Sequence, residues 1–292
     1  MGSNVVKLAV SRFRVLATYH THQVGMKDVD FFPVDLTEPR AVKTIQERLP
    51  DYIIHCAAQT NVDYCEEHPK EAYQQNVAAS RYIAQAAHGV GAYLVHISTD
   101  AVFDGQQGNY NEENVPNPIQ VYGQTKKEAE DVVLLECPNA CVVRTNIFGW
   151  NKLGRLSLAE WMLQKLRKKE ELPGFKDVVF SPILINNLAE VLFELLELKY
   201  KGILHIAGAS SMSKLDFAYT IADVFDLDRQ VIKSVSMRDV PLKAPRARDT
   251  SLDISKARRL FKTEIMDIWE GLEEMERLER IGYVQELRNG GA

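Results

Sequence analysis

The chain has 292 residues, 46% hydrophobic and 26% charged, so it is long enough to bury the core of one or two domains. Its formal net charge of −5 and its scattered Lys and Arg residues argue against a nucleic-acid-binding surface. The sequence has no run of 18 apolar residues and no signal-peptide pattern, so we expect a soluble, cytoplasmic protein without a membrane span.

The first half of the chain alternates short apolar runs with helical patterns. We predict buried strands at residues 14–19, 30–34, 52–56, 93–97 and 140–143, and helices at 39–48, 69–88 and 121–135. Strands separated by helices indicate βαβ units and a parallel sheet. Ligands bind beyond the carboxyl ends of such strands, so the polar residues that follow each strand are the candidates for function.

From about residue 145 the pattern is more mixed. We predict helices at 156–169, 186–198 and 214–225, a loop at 173–182 and a strand at 202–206. Residues 266–289 are rich in Glu and Arg and predict a peripheral helix with a frayed tail. The predicted architecture is α/β, with a nucleotide-binding domain at 1–145 and a smaller α+β substrate-binding portion at 146–292, with some chain crossing between them.

The four cysteines predict neither a disulfide framework nor a metal centre. Cys56 and Cys141 lie in apolar runs and resemble buried small hydrophobic residues. Cys137 and Cys141 have no companion His or Cys at a spacing that is typical of zinc ligands. We therefore expect four reduced thiols and no metal.

Tyr122 and Lys126 are the first candidates for catalysis. Four residues apart on a helix, they share one face, where a nearby cation lowers the pKa of a phenol and lets it exchange a proton near neutral pH. Alone, the pair is equally compatible with a surface helix. A hydroxyl at Thr99, just after the predicted strand 93–97, could hold a carbonyl oxygen while Tyr122 protonates it, and the loop 105–118 supplies the reach between them.

Several segments, in order along the chain, carry a resemblance to a known family. They are 55–63 (HCAAQTNVD), 76–77 (NV), 98–105 (STDAVFDG), 122–126 (YGQTK), 144–149 (RTNIFG), 203–208 (ILHIAG) and 246–253 (RARDTSLD). Together they resemble the extended short-chain dehydrogenases/reductases, and specifically the dTDP-4-dehydrorhamnose reductase family, whose fold is a Rossmann-like doubly wound parallel sheet. The resemblance covers essentially the whole chain.

The resemblance implies a role for each matching residue. Tyr122 is expected to protonate the C4 oxygen of the sugar, Thr99 to hydrogen-bond that oxygen, and Lys126 to bind the nicotinamide ribose and tune Tyr122. The expected contacts to NADP(H) or NAD(H) are Gly2, Asp35, Leu36, Ala57, Ala58, Thr60, Asn76, Ser98, Tyr122 and Lys126. The expected contacts to the nucleotide-linked sugar are Asn146, Arg246 and Arg248, since Arg matches phosphate oxygens in a bidentate manner.

Some of these residues also have a purely structural interpretation. Asp35 is equally compatible with a helix cap, and Asn76 with an interior hydrogen-bonding residue. Arg246 and Arg248 are also compatible with charges on a surface loop. The sequence leaves these alternatives open.

The amino terminus departs from the family pattern. Gly2 matches the last glycine of the dinucleotide fingerprint and 5–11 matches the helix after it, but the first strand and the other glycines are missing. We hypothesise a truncated product, or a start at an internal Met of a longer reading frame. Without that strand, the strands at 14–19 and 52–56 would either leave a gap of ~9.6 Å or pair directly.

Two further departures concern ligand preference. Ala101 and Ile147 stand where the family often has Tyr and Trp, which leaves the identity of the sugar open. After the strand at 14–19 come His20, Thr21 and His22, with no acidic residue for an adenosine ribose hydroxyl, which favours NADP(H) over NAD(H).

The leading functional prediction is NAD(P)H-dependent reduction of a nucleotide-linked 4-keto sugar, most simply dTDP-4-dehydrorhamnose to dTDP-L-rhamnose. A nucleotide-sugar epimerase or dehydratase shares the Thr/Tyr/Lys set, but no additional acid/base pair stands beside Thr99. A non-catalytic alternative is a regulatory subunit resembling that of methionine adenosyltransferase, which resembles the same reductases. By analogy with the family a homodimer is possible.

Overall fold

The computed structural model describes residues 1–21, 25–152 and 156–289. Its strands are β1 Val15–Tyr19, β2 Val29–Pro33, β3 Tyr52–His55, β4 Tyr93–Ile97, β5 Ala140–Arg144, β6 Ile147–Phe148, β7 Leu172–Phe175, β8 Val179–Phe180, β9 Ile183–Leu184, β10 Gly202–His205, β11 Met212–Ser213 and β12 Ile232–Val235. Its α-helices are α1 Gly2–Ala9, α2 Arg40–Gln46, α3 Val62–Glu67, α4 Pro69–Tyr73, α5 Ala79–Val90, α6 Val121–Glu136, α7 Leu158–Arg167, α8 Ile185–Leu198, α9 Lys214–Val224, α10 Ser255–Leu260, α11 Ile268–Arg280 and α12 Tyr283–Asn289.

A four-stranded parallel sheet with the order β10-β5-β4-β3 forms the centre of the first half. Every residue of β4 and β5 is buried, because helices cover both faces and such strands are apolar throughout. The predicted parallel α/β architecture is therefore confirmed. The fourth strand, β10, pairs with β5 although it lies beyond residue 145, the boundary that we predict from the sequence.

Strands β1 and β2 form a separate parallel pair. In the described part of the chain β1 and β3 are not hydrogen-bonded to each other, so direct pairing, one of the two arrangements considered from the sequence, is not formed. Helix α1 packs on α8 through a core that includes Val5, Ala9, Leu188 and Leu192.

The predicted helix at 69–88 is present as a composite. Helix α4 continues into a π-helical turn, Gln74–Ala78, and then into α5, which ends at Gly91 in the left-handed conformation (φ 72°). Helix α3 precedes it and was not predicted. Asn61 caps α3 by accepting a hydrogen bond from the Tyr64 backbone N–H at 3.1 Å, so an Asn before a short polar segment was its signal.

Part of the second portion is built from short strand pairs around a separate core, whereas α8, β10 and α10 share the core of the central sheet. Strand β7 pairs with β12, β8 with β11, and β6 with β9. The prediction of a loop at 173–182 is wrong, because β8 and most of β7 lie there. Their partners are distant in sequence, so periodicity within the segment does not reveal them.

The carboxyl-terminal helices belong to the core of the second portion. Helix α11 buries Leu272 and Met275, and α12 buries Val284 and Leu287. The prediction of a peripheral helix with a frayed tail is therefore wrong for residues 268–289, because the apolar residues among the charges fall on one face of each helix. Within the described ranges no helix is long and apolar enough to cross a membrane.

Candidate active site

A cleft of about 520 Å³ opens at the carboxyl ends of β4 and β5. One wall comes from the segments after β3 and β4 and from α6, and the other from the second portion of the chain. The sequence-predicted residues that line it are Ala58, Thr60, Ser98, Thr99, Tyr122, Lys126, Asn146 and Arg246. These residues lie together because many of them follow the carboxyl ends of neighbouring parallel strands, where the sequence predicts a ligand site.

Thr99 and Tyr122 meet at the base of this cleft. Thr99 caps a 3₁₀ turn, Asp100–Val102, by accepting a hydrogen bond from the Ala101 backbone N–H at 3.2 Å. Its hydroxyl donates to Asp100 Oδ1 at 3.1 Å and lies near enough to the Tyr122 phenol to lower its pKa. Tyr122 stands in the first turn of α6, where Gln120 caps the helix by accepting from the Gly123 backbone N–H.

Gly123 allows α6 to approach this turn closely. A Cβ atom at Gly123 would lie 2.2 Å from the carbonyl oxygen of Ala101 and 3.0 Å from Pro118 Cβ. No other residue fits without displacing backbone, so the position of Tyr122 beside Thr99 depends on this glycine.

Burial raises the pKa of the Tyr122 phenol, and the negative charge of Asp100 raises it further, against a lowering by the hydrogen bond to Thr99. The sequence-based expectation that a cation lowers this pKa is therefore wrong for the structure, because desolvation dominates. A phenol with a raised pKa keeps its proton at neutral pH. It is suited to donate a proton to a substrate oxygen.

Lys126 is buried, with its ammonium held from two sides. Its Nζ donates to the Ile97 carbonyl oxygen at 2.7 Å and lies 3.2 Å from Nε2 of His96. Burial lowers its pKa to about 8, although Glu130 acts in the opposite direction. Two of the three N–H donors are thereby used inside the protein, and the side chain still lines the cleft.

Sequence reasoning missed Asp100 and Lys214. Asp100 is buried, and its Oδ2 accepts from Asn146 Nδ2 and from Thr250 Oγ1, both at 2.8 Å. Burial raises the pKa of Asp100, while Lys214, the first residue of α9, counteracts this electrostatically. The STD segment contained a signal for Asp100, but Lys214 comes from a distant helix and gave none.

Arg246 is tied to the opposite wall of the cleft. Its Nη2 forms a 2.9 Å ion pair with Asp63 of α3, and its Nη1 donates to the Ala244 carbonyl oxygen. The Ala244 backbone N–H also donates to Asp63, at 3.1 Å. The loop that carries Arg246 is therefore anchored on α3.

Several predicted contacts do not line the cleft. They are Gly2, Asp35, Leu36, Ala57, Asn76 and Arg248. Arg248 is exposed, while its carbonyl oxygen accepts from the Val179 backbone N–H. A Cβ at Gly2 would meet only Cys56 Cβ, at 3.9 Å, so packing does not require glycine there. His22 lies outside the described residues.

Asn76 has the interior hydrogen bonds that the sequence left open, whereas Asp35 does not cap a helix, because α2 begins after Pro39 without a side-chain cap. Asp35 Oδ1 accepts from the backbone N–H and the hydroxyl of Thr37, which lowers its pKa. Asn76 is fully buried, accepts from the Gln59 backbone N–H at 2.8 Å and donates to Thr125 Oγ1 at 3.0 Å. It fixes the loop after β3 against α6, so any effect on a cofactor would act through that loop.

Ser98 takes part in a buried ion-pair network. Its hydroxyl donates to Glu130 Oε1, and Glu130 in turn pairs with the fully buried Arg144 at 2.7 Å. The network ties α6 to β4 and β5 directly beneath the cleft. It supports the side chains that line the cleft.

The residues of the cleft fit a nicotinamide nucleotide. The volume is in the range of ligand pockets, and Lys126 presents its ammonium there. Thr145 also lines the cleft, and its buried hydroxyl has no hydrogen-bond partner in the described ranges. Such a donor, together with Ser98 and Thr60, suits the hydroxyl groups of a ribose.

Comparison with known proteins agrees with this geometry. The RmlD substrate binding domain family matches residues 1–280. A probable low-salt glycan biosynthesis reductase, Agl14, of Haloferax volcanii is 33% identical over 262 residues, which are 87% of each chain. The dTDP-4-dehydrorhamnose reductase of Aggregatibacter actinomycetemcomitans is 30% identical, over 91% of this chain and 92% of the relative.

The β subunit of methionine adenosyltransferase 2 from Xenopus tropicalis is also similar, at 33% identity over 78% of this chain and 70% of the relative. Among solved structures, a hypothetical dTDP-4-dehydrorhamnose reductase of Sulfolobus tokodaii has a TM-score of 0.82 and 35% identity, covering 91% of this chain and 94% of that one. The Bacillus anthracis reductase, solved in complex with NADP, has a TM-score of 0.81 and 28% identity, covering 90% and 98%.

Proposed function

Because the chain belongs to the RmlD substrate binding domain family, we propose that it reduces a nucleotide-linked 4-keto sugar with NADPH or NADH. The observation that carries the proposal is that Thr99, Tyr122 and the buried Lys126 line one cleft at the carboxyl ends of β4 and β5. The similarity to dTDP-4-dehydrorhamnose reductases makes dTDP-4-dehydrorhamnose the first substrate to test.

The chain's own residues supply the proton and the orientation. The bound nicotinamide would supply the hydride. Tyr122 keeps its proton because burial raises its pKa, and it donates that proton to the C4 oxygen as negative charge develops there. Thr99 lies beside Tyr122, and its hydroxyl donates to Asp100 Oδ1, which fixes the orientation of the hydroxyl.

Arg246, which lines the cleft, suits the diphosphate of a nucleotide-linked substrate. Arg246 lines the cleft and can exchange Asp63 for diphosphate oxygens, which accept the guanidinium fork equally well. Asn146 lines the cleft, donates to Asp100 Oδ2 at 2.8 Å and suits the hydroxyl groups of the sugar. Ser98 and Lys126 would hold the nicotinamide ribose.

The proposal is tested with purified protein and with the Tyr122→Phe variant. We expect NADPH fluorescence to report binding by both proteins, and dTDP-4-dehydrorhamnose to be reduced by the wild type. In Tyr122→Phe the turnover number should fall by about 10²- to 10⁴-fold, because the proton donor is lost, while NADPH binding is kept. Equal turnover by the two proteins would contradict the assignment of Tyr122.

An epimerase or dehydratase is less compatible with the site. A dehydratase, or an epimerase that inverts a carbon next to a keto group, needs a further acid or base at the sugar, and the nearest candidate, Asp100, already accepts hydrogen bonds from Thr99, Asn146 and Thr250. Product analysis by NMR in the same assay separates the reactions, because an epimerase regenerates the oxidised cofactor and leaves no net NADPH consumption.

The similarity to methionine adenosyltransferase β subunits supports a second candidate function, regulation of a partner enzyme. Its test is co-purification with a catalytic methionine adenosyltransferase subunit and a change in that enzyme's activity. Binding to this subunit, without turnover of any 4-keto sugar nucleotide, would favour the regulatory function.

We also propose a cytoplasmic location and a homodimer, both expected from the sequence. Light scattering of the purified chain tests the oligomeric state. A monomer at the concentration of the activity assay would rule out a requirement for dimerisation.

A further inference from the structure

Two buried histidines lie side by side on the central sheet, next to the candidate active site. His55 of β3 is in register with His96 of β4, and the centroids of their rings are 5.3 Å apart. Both side chains are almost completely buried. The mechanism proposed above uses neither of them.

The contact between His96 and Lys126 fixes which nitrogen of His96 carries the proton. Burial, with the positive charge of Lys126, keeps the pKa of His96 well below its usual value, so the ring is neutral. The ammonium group of Lys126 only donates hydrogen bonds. Nε2 of His96, 3.2 Å from Lys126 Nζ, therefore accepts one, and the ring proton resides on Nδ1.

Nδ1 of His96 is buried and has no hydrogen-bond partner in the described part of the chain. An unpaired N–H in the interior is unfavourable, and an apolar side chain on β4 would avoid it. In the described residues, no hydrogen-bond acceptor near Nδ1 favours the tautomer that carries the proton there. The contact with Lys126 alone accounts for it.

The neighbouring His55 has the opposite arrangement. Ser80 Oγ donates its proton to the Asn76 carbonyl oxygen at 2.6 Å, so it can only accept from Nε2 of His55, 3.2 Å away. The ring proton of His55 therefore resides on Nε2. His55 makes no hydrogen bond with Lys126 in the described ranges, which makes it a matched control: a buried histidine one strand away.

We propose that His96 is a positioning residue for Lys126, holding its ammonium group so that the remaining N–H points to a ligand in the cleft. The inference rests on the proposed function, in which Lys126 binds the nicotinamide ribose. The Ile97 carbonyl oxygen and Nε2 of His96 accept hydrogen bonds from two of the three N–H groups of the Lys126 ammonium. Only one direction is left for the third.

The first test needs no turnover. Nitrogen-15 NMR of the wild type should show His96 protonated at Nδ1 and His55 at Nε2, each assigned by the loss of its signals in His96→Leu or His55→Leu. The buried His205, whose Nδ1 donates to the Tyr110 carbonyl oxygen at 3.0 Å, adds a second ring protonated at Nδ1 that both variants keep. In His96→Leu the pKa of Lys126, about 8 in the wild type, should fall, because its charged form loses an acceptor. A proton on Nε2 of His96, or an unchanged Lys126 pKa, would overturn the proposal.

The second test is kinetic. We expect His96→Leu to lower kcat by about 10- to 100-fold, the effect of losing one hydrogen bond to a charged group. The KM for the nucleotide sugar should be unchanged, His96→Gln should restore most of the activity through Oε1, and His55→Leu should stay within about threefold of wild type. Equal losses in His96→Leu and His55→Leu would mean that the histidines only fill space.

The two tests separate the two claims. If the wild type reduces no 4-keto sugar nucleotide but the NMR signature is present, the proposed function fails and the contact between His96 and Lys126 stands. If turnover occurs and the signature is absent, the reductase assignment stands and the role of His96 is overturned.

Discussion

At the scale of single residues, environment decides the chemistry more than residue type. Tyr122 and Lys126 share a helix face, but burial raises the pKa of the phenol and lowers that of the ammonium. The sequence could place both residues at one site, because helical spacing fixes it. It could not tell the sign of the Tyr122 shift, because desolvation depends on the surrounding fold.

Arg246 and Arg248 are indistinguishable in sequence but different in the structure. Arg246 lines the cleft, whereas Arg248 is exposed and lies outside its lining. We expect Arg246→Met to raise the KM for the nucleotide sugar by about 10- to 100-fold, because a charged hydrogen bond to the diphosphate is lost. Arg248→Met should change it by less than about threefold.

Initial-rate kinetics at saturating NADPH measures both values. The comparison is internal, since each variant removes one guanidinium from the same loop. Similar effects of the two substitutions would contradict the assignment of Arg246 and would indicate that the loop acts only through its overall charge.

At the scale of elements, the strands that were predicted correctly are those whose sequence carries the whole signal. β4 and β5 are continuous apolar runs, because each is covered on both faces. By contrast, β7 contains Pro173 and Gly174, and β8 is only two residues long. Both strands form because segments distant in the sequence pair with them. Lys214 escaped prediction for the same reason, since its proximity to Asp100 is set by tertiary contacts.

The junction between α6 and the Asp100–Val102 turn sets the geometry of the site. Gly123→Ala would bring a Cβ to 2.2 Å from the Ala101 carbonyl oxygen, so α6 must shift and Tyr122 must move away from Thr99. Since a displacement of about 1 Å can cost about 10²-fold in rate, we expect kcat/KM to fall at least about tenfold. Steady-state kinetics measures the loss of activity, and far-UV circular dichroism shows whether the variant is still folded.

Gly89→Ala is the matched control. Gly89 is also helical, and its Cβ would lie 2.1 Å from Nε2 of the half-buried Gln46, but this is the end of a flexible side chain that can move without displacing backbone. This substitution should keep full activity and slightly stabilise the protein, because alanine is the better helix former. Loss of activity in both variants would show that helix glycines matter here for reasons other than close approach.

At the scale of the whole molecule, the two ends of the chain meet. Asn4 of α1 donates to the Trp150 carbonyl oxygen at 2.8 Å and accepts from the Tyr283 hydroxyl at 2.9 Å. One buried amide thus joins the first helix, the second portion and the last helix, and Asn4 also lines the cleft. The many Glu and Arg residues near the carboxyl terminus suggested a surface tail, although as many apolar residues lie among them.

Leu287 is the test of this packing. It is fully buried in the core of the second portion, so Leu287→Ala should lower the free energy of unfolding by about 2–5 kcal/mol, from lost burial and the cavity left behind. Glu286→Ala, one residue away, removes only a surface ion pair with Lys7 at 2.9 Å and should change stability little. Urea denaturation followed by tryptophan fluorescence measures both, and equal, small effects would mean that α12 is as peripheral as its composition suggests. If Leu287→Ala also weakens NADPH binding, the packing of α12 on α1 supports the cleft through Asn4, because that residue belongs to both.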